Sequence, residues 1–192
     1  MKNPFLIGKN IYLSPLTKED ISDDYVSWLN DSEVCEGNSH ATFPNNYSKT
    51  YSYVESIENS KTEIVFTIRW KKNDIHIGIA SLQRIDYLNR SGEITMIIGD
   101  KKYWNKGVGT EALGLLIDYG FQRLNLNRIS CGTLVTNKGG IRICENNKMK
   151  MEVLIREGIF KNGKYLDAIM YSILLKDYKK KKDYKKKNKE KD

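Results

Sequence analysis

Two closely spaced glycines, Gly107 and Gly109, stand in the stretch WNKGVGT at residues 104–110. Glycine lets a backbone approach a ligand closely, and the first N–H groups of a helix attract anions together with the helix dipole. Because an apolar stripe of helical period follows, the stretch is predicted to bind phosphate groups. It matches neither the G-x-G-x-x-G dinucleotide motif nor the P-loop motif. Tight packing of the helix is the alternative explanation for the two glycines.

The elements that must position this turn follow from hydrophobic periodicity, which predicts the order β-α-α-β-β-β-α-β-α-β-β. This order is typical of an α/β (α+β) fold, a mixed central sheet of about seven strands with helices on both faces. Residues 31–47 are polar and predict a long loop, and Asn162-Gly163 predicts a hairpin between the last two strands. The predicted strands are 9–16, 63–70, 75–84, 92–99, 128–135, 150–160 and 164–175, and the predicted helices start at Thr17, at Ser48, after Gly107 and at residue 138.

The charge is concentrated at one end of the chain. The 192 residues fit one domain and carry a net charge of +8, but residues 176–192 hold ten lysines and four acidic residues. We therefore expect a folded domain over 1–176 and a disordered lysine-rich tail over 177–192. The tail is either a solvated end that favours solubility or a weak electrostatic contact for a polyanion such as RNA, the ribosome or acidic lipid.

The numbers of cysteines and histidines indicate in which cellular compartment the protein works and whether it binds a metal. The three cysteines, Cys35, Cys131 and Cys144, are odd in number and far apart, as is typical of a reducing cytoplasm. With His40 and His76 as the only histidines, the sequence predicts no metal site. No apolar run approaches the roughly 20 residues of a membrane span, so we expect a cytoplasmic protein.

Three segments carry a family resemblance: GEITMIIGDKKYWNKGVGTEA at 92–112, NKGGIRICENN at 137–147 and REGIFKNGKYLDAIMYSIL at 156–174. They resemble the acetyl-CoA motif and the later part of the GNAT superfamily of N-acetyltransferases. The resemblance is strongest to the branch of ribosomal-protein N-terminal, spermidine and amino-sugar acetyltransferases. It covers roughly residues 8–178 and excludes the lysine tail.

The resemblance implies where acetyl-CoA binds. The strand matching residues 94–99 is expected to splay from its neighbour and to pair its backbone with the pantetheine arm, and the glycine turn is expected to hold the pyrophosphate. The implied cofactor contacts are Met96, Ile97, Ile98, Lys106, Gly107, Val108, Gly109, Thr110 and Asn137, with Lys101, Lys102, Lys138 and Arg142 as further nearby cations. Asn137 is equally suited to cap the next helix.

Two residues are candidates for proton transfer. Glu93 begins the strand beside the cofactor site, where the superfamily often has a glutamate, and is the candidate base; an exposed strand-end glutamate is the alternative. Cys144 takes the position of the tyrosine that often protonates the departing thiolate. It is the candidate acid, although a small buried cysteine on a helix would look the same.

The acceptor side is less well marked. His40, in the loop before Phe43-Pro44, and Asp86 and Tyr87, after the strand at 75–84, are candidate substrate contacts. His76 alternates with isoleucines in a strand, which indicates a structural role.

Together these observations predict an acetyl-CoA-dependent N-acetyltransferase that acts on a primary amine. A small molecule is favoured, and an amino sugar over a polyamine because the loop at 31–47 is nearly neutral. The alternatives are a protein N-terminus as acceptor, or a non-enzymatic binder with a GNAT fold that uses its basic tail on RNA or ribosomes. The terminal hairpin strands suggest a homodimer edge by analogy.

Overall fold

A computed structural model describes residues 1–38 and 40–178. In this part of the chain, one sheet of eight strands carries four helices of eight or more residues. The strands are β1 (Leu6–Ile7), β2 (Ile11–Pro15), β3 (Ile64–Trp70), β4 (His76–Asp86), β5 (Ser91–Ile98), β6 (Arg128–Leu134), β7 (Lys150–Lys161) and β8 (Lys164–Leu174). The helices are α1 (Asp23–Asn30), α2 (Tyr47–Ile57), α3 (Val108–Gln122) and α4 (Lys138–Asn146).

The sheet is mixed, as predicted. Its order is β1-β2-β3-β4-β5-β6-β8-β7, and all neighbouring strands are antiparallel except the parallel pair β5 and β6. The α3 crossover joins these two parallel strands. The eighth strand, β1, is only two residues long, too short for sequence alternation to reveal it.

Helices cover both faces of the sheet, which confirms the predicted layers. Along β5, Ile94, Met96 and Ile98 pack in the cluster that contains α3 and α4, whereas Ile97 packs in the cluster that contains α1 and α2. Because successive side chains of a strand point to opposite faces, the two helix pairs lie on opposite sides. The chain thus offers two chemically separate faces to anything bound at β5.

The helix predicted from Thr17 is broken in two. A short 3-10 turn, Lys18–Asp20, ends at an extended Ile21, and Ser22 then caps α1. The cause is Asp20, whose buried carboxylate accepts hydrogen bonds from Thr17 N–H at 2.9 Å and from Arg69 Nη2 at 2.5 Å. This pairing with a distant strand fixes the turn, so one continuous helix cannot form.

Two other local signals can be compared with the structure. The cap of α2 is Asn46, which accepts from Lys49 N–H at 2.9 Å, and not the predicted Ser48. The hairpin between β7 and β8 is confirmed: Asn162 and Gly163 have φ of 51° and 76° at its tip. Two positive φ values at the tip are typical of a tight two-residue hairpin turn.

The domain extends slightly beyond its predicted boundary. Asp177 lies 3.6 Å from Lys150 Nζ, and the buried Tyr178 ring packs 5.0 Å from the ring of Phe121. The tail was predicted to begin at residue 177, so its first two residues belong to the folded part. The rest of the predicted tail, residues 179–192, lies outside the described residues.

Candidate active site

A slot opens between β5 and β6. The two strands pair only at Ser91–Arg128, Gly92–Ile129 and Glu93–Ser130. Beyond this point β6 remains paired with β8, and β5 with β4. The two strands therefore diverge after Glu93, as the resemblance implied, and the slot has its closed end at Glu93.

Backbone polar groups of β5 line the slot. Gly99 N–H donates to Ile77 O at 2.9 Å, and in the β4–β5 register this makes residues 93, 95 and 97 the ones bonded to β4. The N–H and C=O groups of Met96 and Ile98 then point into the slot. Those of Ile97 point to β4, and its side chain packs in the cluster of α1 and α2, so the cofactor contact implied for Ile97 stays a prediction.

The turn before α3 is shaped as an anion site. Gly107 is the N-cap of α3 in the left-handed conformation, with φ of 76°, and no side chain caps the helix. Among the described hydrogen bonds, the first intrahelical one here is Glu111 N–H to Gly107 O, at 3.0 Å. The N–H groups of residues 108–110 remain available, and nothing lies within 4 Å of a Cβ placed on Gly107. The turn can therefore approach an anion through its backbone.

Gly109 serves packing as well as access. A Cβ at this position would lie 2.5 Å from Ile143 Cδ1 on α4 and 3.7 Å from Met96 Sδ on β5. Thr110 is tied to the end of α4, since its carbonyl accepts from Asn147 Nδ2 at 3.0 Å. Both alternatives for the glycine pair thus apply: Gly107 leaves the backbone open, and Gly109 brings α3 against α4.

The lysines near the turn differ in availability. Lys101 Nζ is held by Asp31 at 2.8 Å and by Glu33 at 2.5 Å, which raises the pKa of Lys101 and occupies its charge. Lys106 Nζ stands 5.4 Å from the ring centre of Tyr103 and is exposed. Within residues 1–38 and 40–178, no ion pair holds Lys106 or the other exposed cations near the turn, which are Lys102, Lys138 and Arg142.

Asn137 caps α4. Its Oδ1 accepts from Gly140 N–H at 2.9 Å, so the alternative interpretation of this residue holds. Its Nδ2 lies 2.5 Å from the position of a Cβ on Gly37, in the segment after α1. The cofactor contact implied for Asn137 stays a prediction.

One carboxylate and two thiols lie near the closed end of the slot, on opposite faces of the sheet. Glu93 has a side chain only 17% exposed, and its Oε2 accepts from Arg84 Nη1 at 2.9 Å. Cys131 follows the last paired residue of β6 and lies close enough to Glu93 for that charge to raise the pKa of Cys131. The thiols of Cys131 and of Cys144 on α4 lie close enough for each to shift the pKa of the other. Glu93 shares the face of Ile97, whereas Cys131 and Cys144 pack on the α3–α4 face, so the carboxylate and the thiols lie on opposite sides of the sheet.

The two thiols differ in acidity. A hydrogen bond from the Cys131 thiol stabilises the Cys144 thiolate and lowers the pKa of Cys144. That same hydrogen bond, with burial second, raises the pKa of Cys131 well above its usual value. Cys144 is thus the member of the pair that titrates first.

His40 lies in the loop after α1 near the β7–β8 hairpin. The surrounding chain desolvates the His40 imidazole and, together with the charge of Lys161, lowers its pKa. Its N–H donates to Asn38 Oδ1 at 2.8 Å. Its predicted contact with the acceptor stays a prediction. His76 is structural as predicted, since its ring packs 5.2 Å from that of Trp28, and burial lowers its pKa to about 4.

Asp86 and Tyr87 lie before the open part of the slot, and their predicted contact with the acceptor stays a prediction. They form the β4–β5 turn, where Asp86 pairs with Ser91 and accepts from Asn89 N–H at 2.8 Å. That turn is at the start of β5, on the side where β5 and β6 are still paired, whereas the slot opens along the second half of β5. The sequence places Asp86 and Tyr87 after a strand, but it does not indicate at which end β5 separates from β6.

The sequence pattern gives no site role to Cys131 or Lys161, and it predicts only a packing role beside the glycine turn for Trp104. Trp104 Nε1 donates to Ile98 O at 2.7 Å and ties the glycine turn to β5. Cys131 contacts Cys144, and Lys161 binds the backbone of the segment after α1. Cys131 could have been found from the sequence, because it lies where the two strands are expected to diverge. No local pattern indicates the contact of Lys161.

The described residues contain no group of three or more side chains suited to hold a metal ion. In the same part of the chain, no helix has both the length and the apolar character to cross a membrane.

The comparisons with known proteins agree with this geometry. A family model described as "Acetyltransferase (GNAT) domain" matches residues 10–150, and the chain therefore belongs to the GNAT acetyltransferase family. The probable N-acetyltransferase YjcK of Bacillus subtilis (strain 168) is 29% identical over 181 residues, covering 90% of this chain and 98% of that protein. The putative ribosomal N-acetyltransferase YdaF of the same strain is 34% identical over 101 residues, 53% of this chain. That match spans only 55% of YdaF's own length.

Among solved structures, spermidine N-acetyltransferase from Vibrio cholerae in complex with CoA and spermine superimposes with a TM-score of 0.81. The superposition covers 89% of this chain and 99% of that one at 22% identity, which establishes a shared fold. The chain is thus an N-acetyltransferase of the GNAT family.

Proposed function

We propose that this chain transfers the acetyl group of acetyl-CoA to a primary amine of a small molecule, an amino sugar or a polyamine. The observation that carries the proposal is the slot itself. The pairing of β5 and β6 ends at Glu93, which leaves the backbone of Met96 and Ile98 facing a gap that leads to the uncapped start of α3. A gap lined by strand backbone beside an anion site suits a ligand with an amide-rich arm and a pyrophosphate.

The residues present fit acetyl-CoA. The N–H groups of Val108, Gly109 and Thr110 and the exposed Lys106 would hold the pyrophosphate, and Met96 and Ile98 would pair with the pantetheine amides. Asn137, at the start of α4, is the further proposed contact. Bound there, the ligand supplies an acetyl group activated as a thioester.

Glu93 is proposed as the base. A protonated amine has no lone pair for attack, so a group at the closed end of the slot must take its proton. The carboxylate is half-buried there, and its partner Arg84 has a side chain 78% exposed. Exposed ion pairs contribute little free energy, so Arg84 can leave Glu93 at small cost when an amine arrives.

Cys144 is proposed as the acid that returns a proton to the departing thiolate. Its thiol is buried, contacts Cys131, and has a pKa lowered by that contact. A thiol acid is well matched to a thiol leaving group, because proton transfer is most efficient between groups of similar pKa. This role replaces that of the tyrosine implied at the same position in related enzymes.

The charge around the entrance favours an amino sugar over a polyamine. Asp31 and Glu33, two acidic residues of the loop after α1, are both paired with Lys101. A polycation would need several unpaired carboxylates there, and among the described residues of this loop only Glu36 is an acid without an ion pair. The V. cholerae neighbour was solved in complex with spermine, and this likeness keeps the polyamine as the second small-molecule candidate.

An acceptor panel tests the proposal. Purified protein is incubated with acetyl-CoA and one acceptor at a time: a nucleotide-linked amino sugar, spermidine or a peptide with a free N-terminus. The mass of each product is measured by mass spectrometry. Acetylation of the amino sugar or of spermidine supports the proposal. Exclusive acetylation of the peptide supports instead the protein N-terminal alternative, which the similarity to YdaF favours.

The non-enzymatic alternative depends on the lysine-rich end. Since Tyr178 packs into the domain, the deletion that tests it should remove residues 179–192 only. An enzyme keeps its turnover after this deletion. A binder of RNA or ribosomes loses its partner, and its binding before deletion weakens steeply with salt.

We further propose that β7 pairs with β7 of a second copy. It is an edge strand whose apolar side chains Met151, Val153, Leu154 and Ile155 are all exposed. β7 carries two bulges, one at Glu152 and one between Ile155 and Ile159, so only short stretches of its edge would pair with the partner. We also propose a cytoplasmic location for the protein, because its three cysteines are free thiols.

A further inference from the structure

The segment Asp31–Asn38, called here the bridging segment, is fixed at one end to the strand that forms the slot. Lys101, just beyond β5, binds Asp31 Oδ2 at 2.8 Å and Glu33 Oε2 at 2.5 Å. Asp31 also caps the segment's own turn, because its Oδ1 accepts from Glu33 N–H at 2.9 Å and Val34 N–H at 3.2 Å. This end therefore stays with β5.

The other end is fixed by one lysine. Lys161, the last residue of β7, donates from Nζ to the backbone carbonyls of Cys35, of Glu36 at 3.0 Å and of Asn38 at 2.8 Å. Three carbonyls from one turn converge on a single ammonium group, and such charge-assisted bonds are stronger than neutral ones. The half-buried position of Lys161 agrees with this role, since desolvation lowers its pKa.

Between its two ends the bridging segment crosses the slot. A Cβ on Gly37 would lie 2.5 Å from Asn137 Nδ2 and 3.9 Å from Thr133 Oγ1, and Thr133 is on the part of β6 that has left β5. The segment thus runs from the end of β5 to the far half of β6. These are the two strands whose divergence makes the slot.

The bridging segment packs through Cys35 on the face opposite the glycine turn, and its Gly37 end reaches Asn137 at the start of α4. Cys35 is buried in the cluster of α1 and α2, and its Sγ donates to Trp28 O at 3.2 Å. The turn at Gly107 starts α3, which packs on the other face. The segment therefore limits access to the slot from the side away from the proposed phosphate site.

We infer that Lys161 is a positioning residue for the amine acceptor: it holds the bridging segment across the slot and so shapes the entrance on the α1–α2 face. The inference rests on the proposed function, which identifies the molecule that enters here as an amine acceptor. Lys161 touches neither the reacting groups at Glu93 nor the glycine turn. Its loss should therefore weaken acceptor binding more than the binding of CoA.

The test compares Lys161→Met, which keeps the length of the side chain and removes its charge, with Lys161→Arg, which keeps donors and charge. Lys164→Met is the matched control, an exposed lysine across the same hairpin. For each protein we would measure amide hydrogen exchange in the bridging segment, the Kd for CoA, and kcat and KM for the acetylated amine. The amides of Cys35, Glu36 and Asn38 are bonded within the segment and report its order directly.

For Lys161→Met we expect these amides to exchange about tenfold faster or more and the KM of the amine to rise by a similar factor. The Kd for CoA should change less than this KM, because the segment meets the proposed CoA contacts only at Asn137. Lys161→Arg should restore both quantities, and Lys164→Met should match the wild type.

Unchanged exchange in Lys161→Met, or equal effects of the Lys161→Met and Lys164→Met variants, would overturn the inference. Faster exchange throughout β3 in Lys161→Met would also overturn it, because the residue would then support the whole domain. If the wild type acetylates no amine, the proposed function is contradicted, and the exchange rates alone then decide whether Lys161 holds the segment.

Discussion

Replacing Gly107 by glutamate should abolish CoA binding without unfolding the chain. The position has space, since nothing lies within 4 Å of a Cβ there, but its φ is 76°. A side chain in the left-handed region costs roughly 1–2 kcal/mol. A carboxylate at a helix N-terminus regains about 0.3–1 kcal/mol through the helix dipole. The new charge would stand beside the N–H groups proposed to hold the pyrophosphate, so an anionic ligand is repelled from them.

The chain offers a matched control at the tip of the β7–β8 hairpin. Gly163 has the same φ of 76° and likewise nothing within 4 Å of a Cβ. Gly163→Glu therefore adds the same charge and the same backbone strain far from the slot. For a chain of this size, 1 kcal/mol shifts the melting temperature by about 2–4 °C. Both variants should thus melt a few degrees below the wild type when no ligand is present.

The ligand separates the two variants. Acetyl-CoA at about 100 times its Kd stabilises a folded protein by about 2.7 kcal/mol, which corresponds to about 5–11 °C here. Thermal unfolding with and without acetyl-CoA should show this rise for the wild type and for Gly163→Glu, and none for Gly107→Glu. A full rise in Gly107→Glu would refute the placement of the pyrophosphate at the start of α3.

Four further outcomes are expected. Glu93→Gln should lower kcat by about 10²-fold or more, with an unchanged Kd for CoA, in steady-state and binding assays; full activity would exclude Glu93 as the base. Cys144→Ala should lower kcat by about 10²-fold and remove a limb of the pH–rate profile. An unchanged profile would show that Cys144 is not the acid that protonates the departing thiolate. Leu154→Arg should convert dimers to monomers in analytical ultracentrifugation, and an unchanged mass would remove β7 from the interface. Asp20→Asn should destabilise the chain by about 3–5 kcal/mol in urea at neutral pH, because Arg69 is left buried without its counter-charge; a loss below about 1 kcal/mol would contradict this.

The pH dependence of the Asp20 effect has a definite sign. Burial alone would raise the pKa of Asp20, but the hydrogen bonds from Thr17 and Arg69 outweigh it and hold the pKa below its usual value. The contribution to stability is therefore complete above the unfolded pKa of about 3.9 and is lost as pH falls through the lower folded pKa. The wild type and Asp20→Asn should converge in stability only at strongly acidic pH.

Local signals predicted most of the elements that frame the slot. Asn162-Gly163 between two apolar runs identified the last hairpin, and the glycine pair before a helical stripe identified the start of α3. These features depend on residues within one turn of each other, so sequence spacing is enough to find them. The divergence of β5 and β6 was predicted from the family resemblance, because residue spacing alone does not indicate it.

The features that the sequence did not predict arise where a distant residue decides the local structure. Asp20 ends its turn because Arg69, on β3, takes its carboxylate. Asp86 lies before the open part of the slot because β5 and β6 stay paired at that end. Lys161 meets carbonyls more than 120 positions earlier in the chain. No single segment holds the information for such contacts, since they depend on how the sheet brings its edges together.

CoA is proposed to bind in the slot between β5 and β6. The most direct measurement is an NMR titration of the backbone amides with CoA. The N–H groups of Met96 and Ile98 and those of residues 108–110 should shift and become protected, while that of Ile97, already bonded to β4, should keep its exchange rate. Protection confined to the β4–β5 turn, or no change at Met96 and Ile98, would contradict the claim.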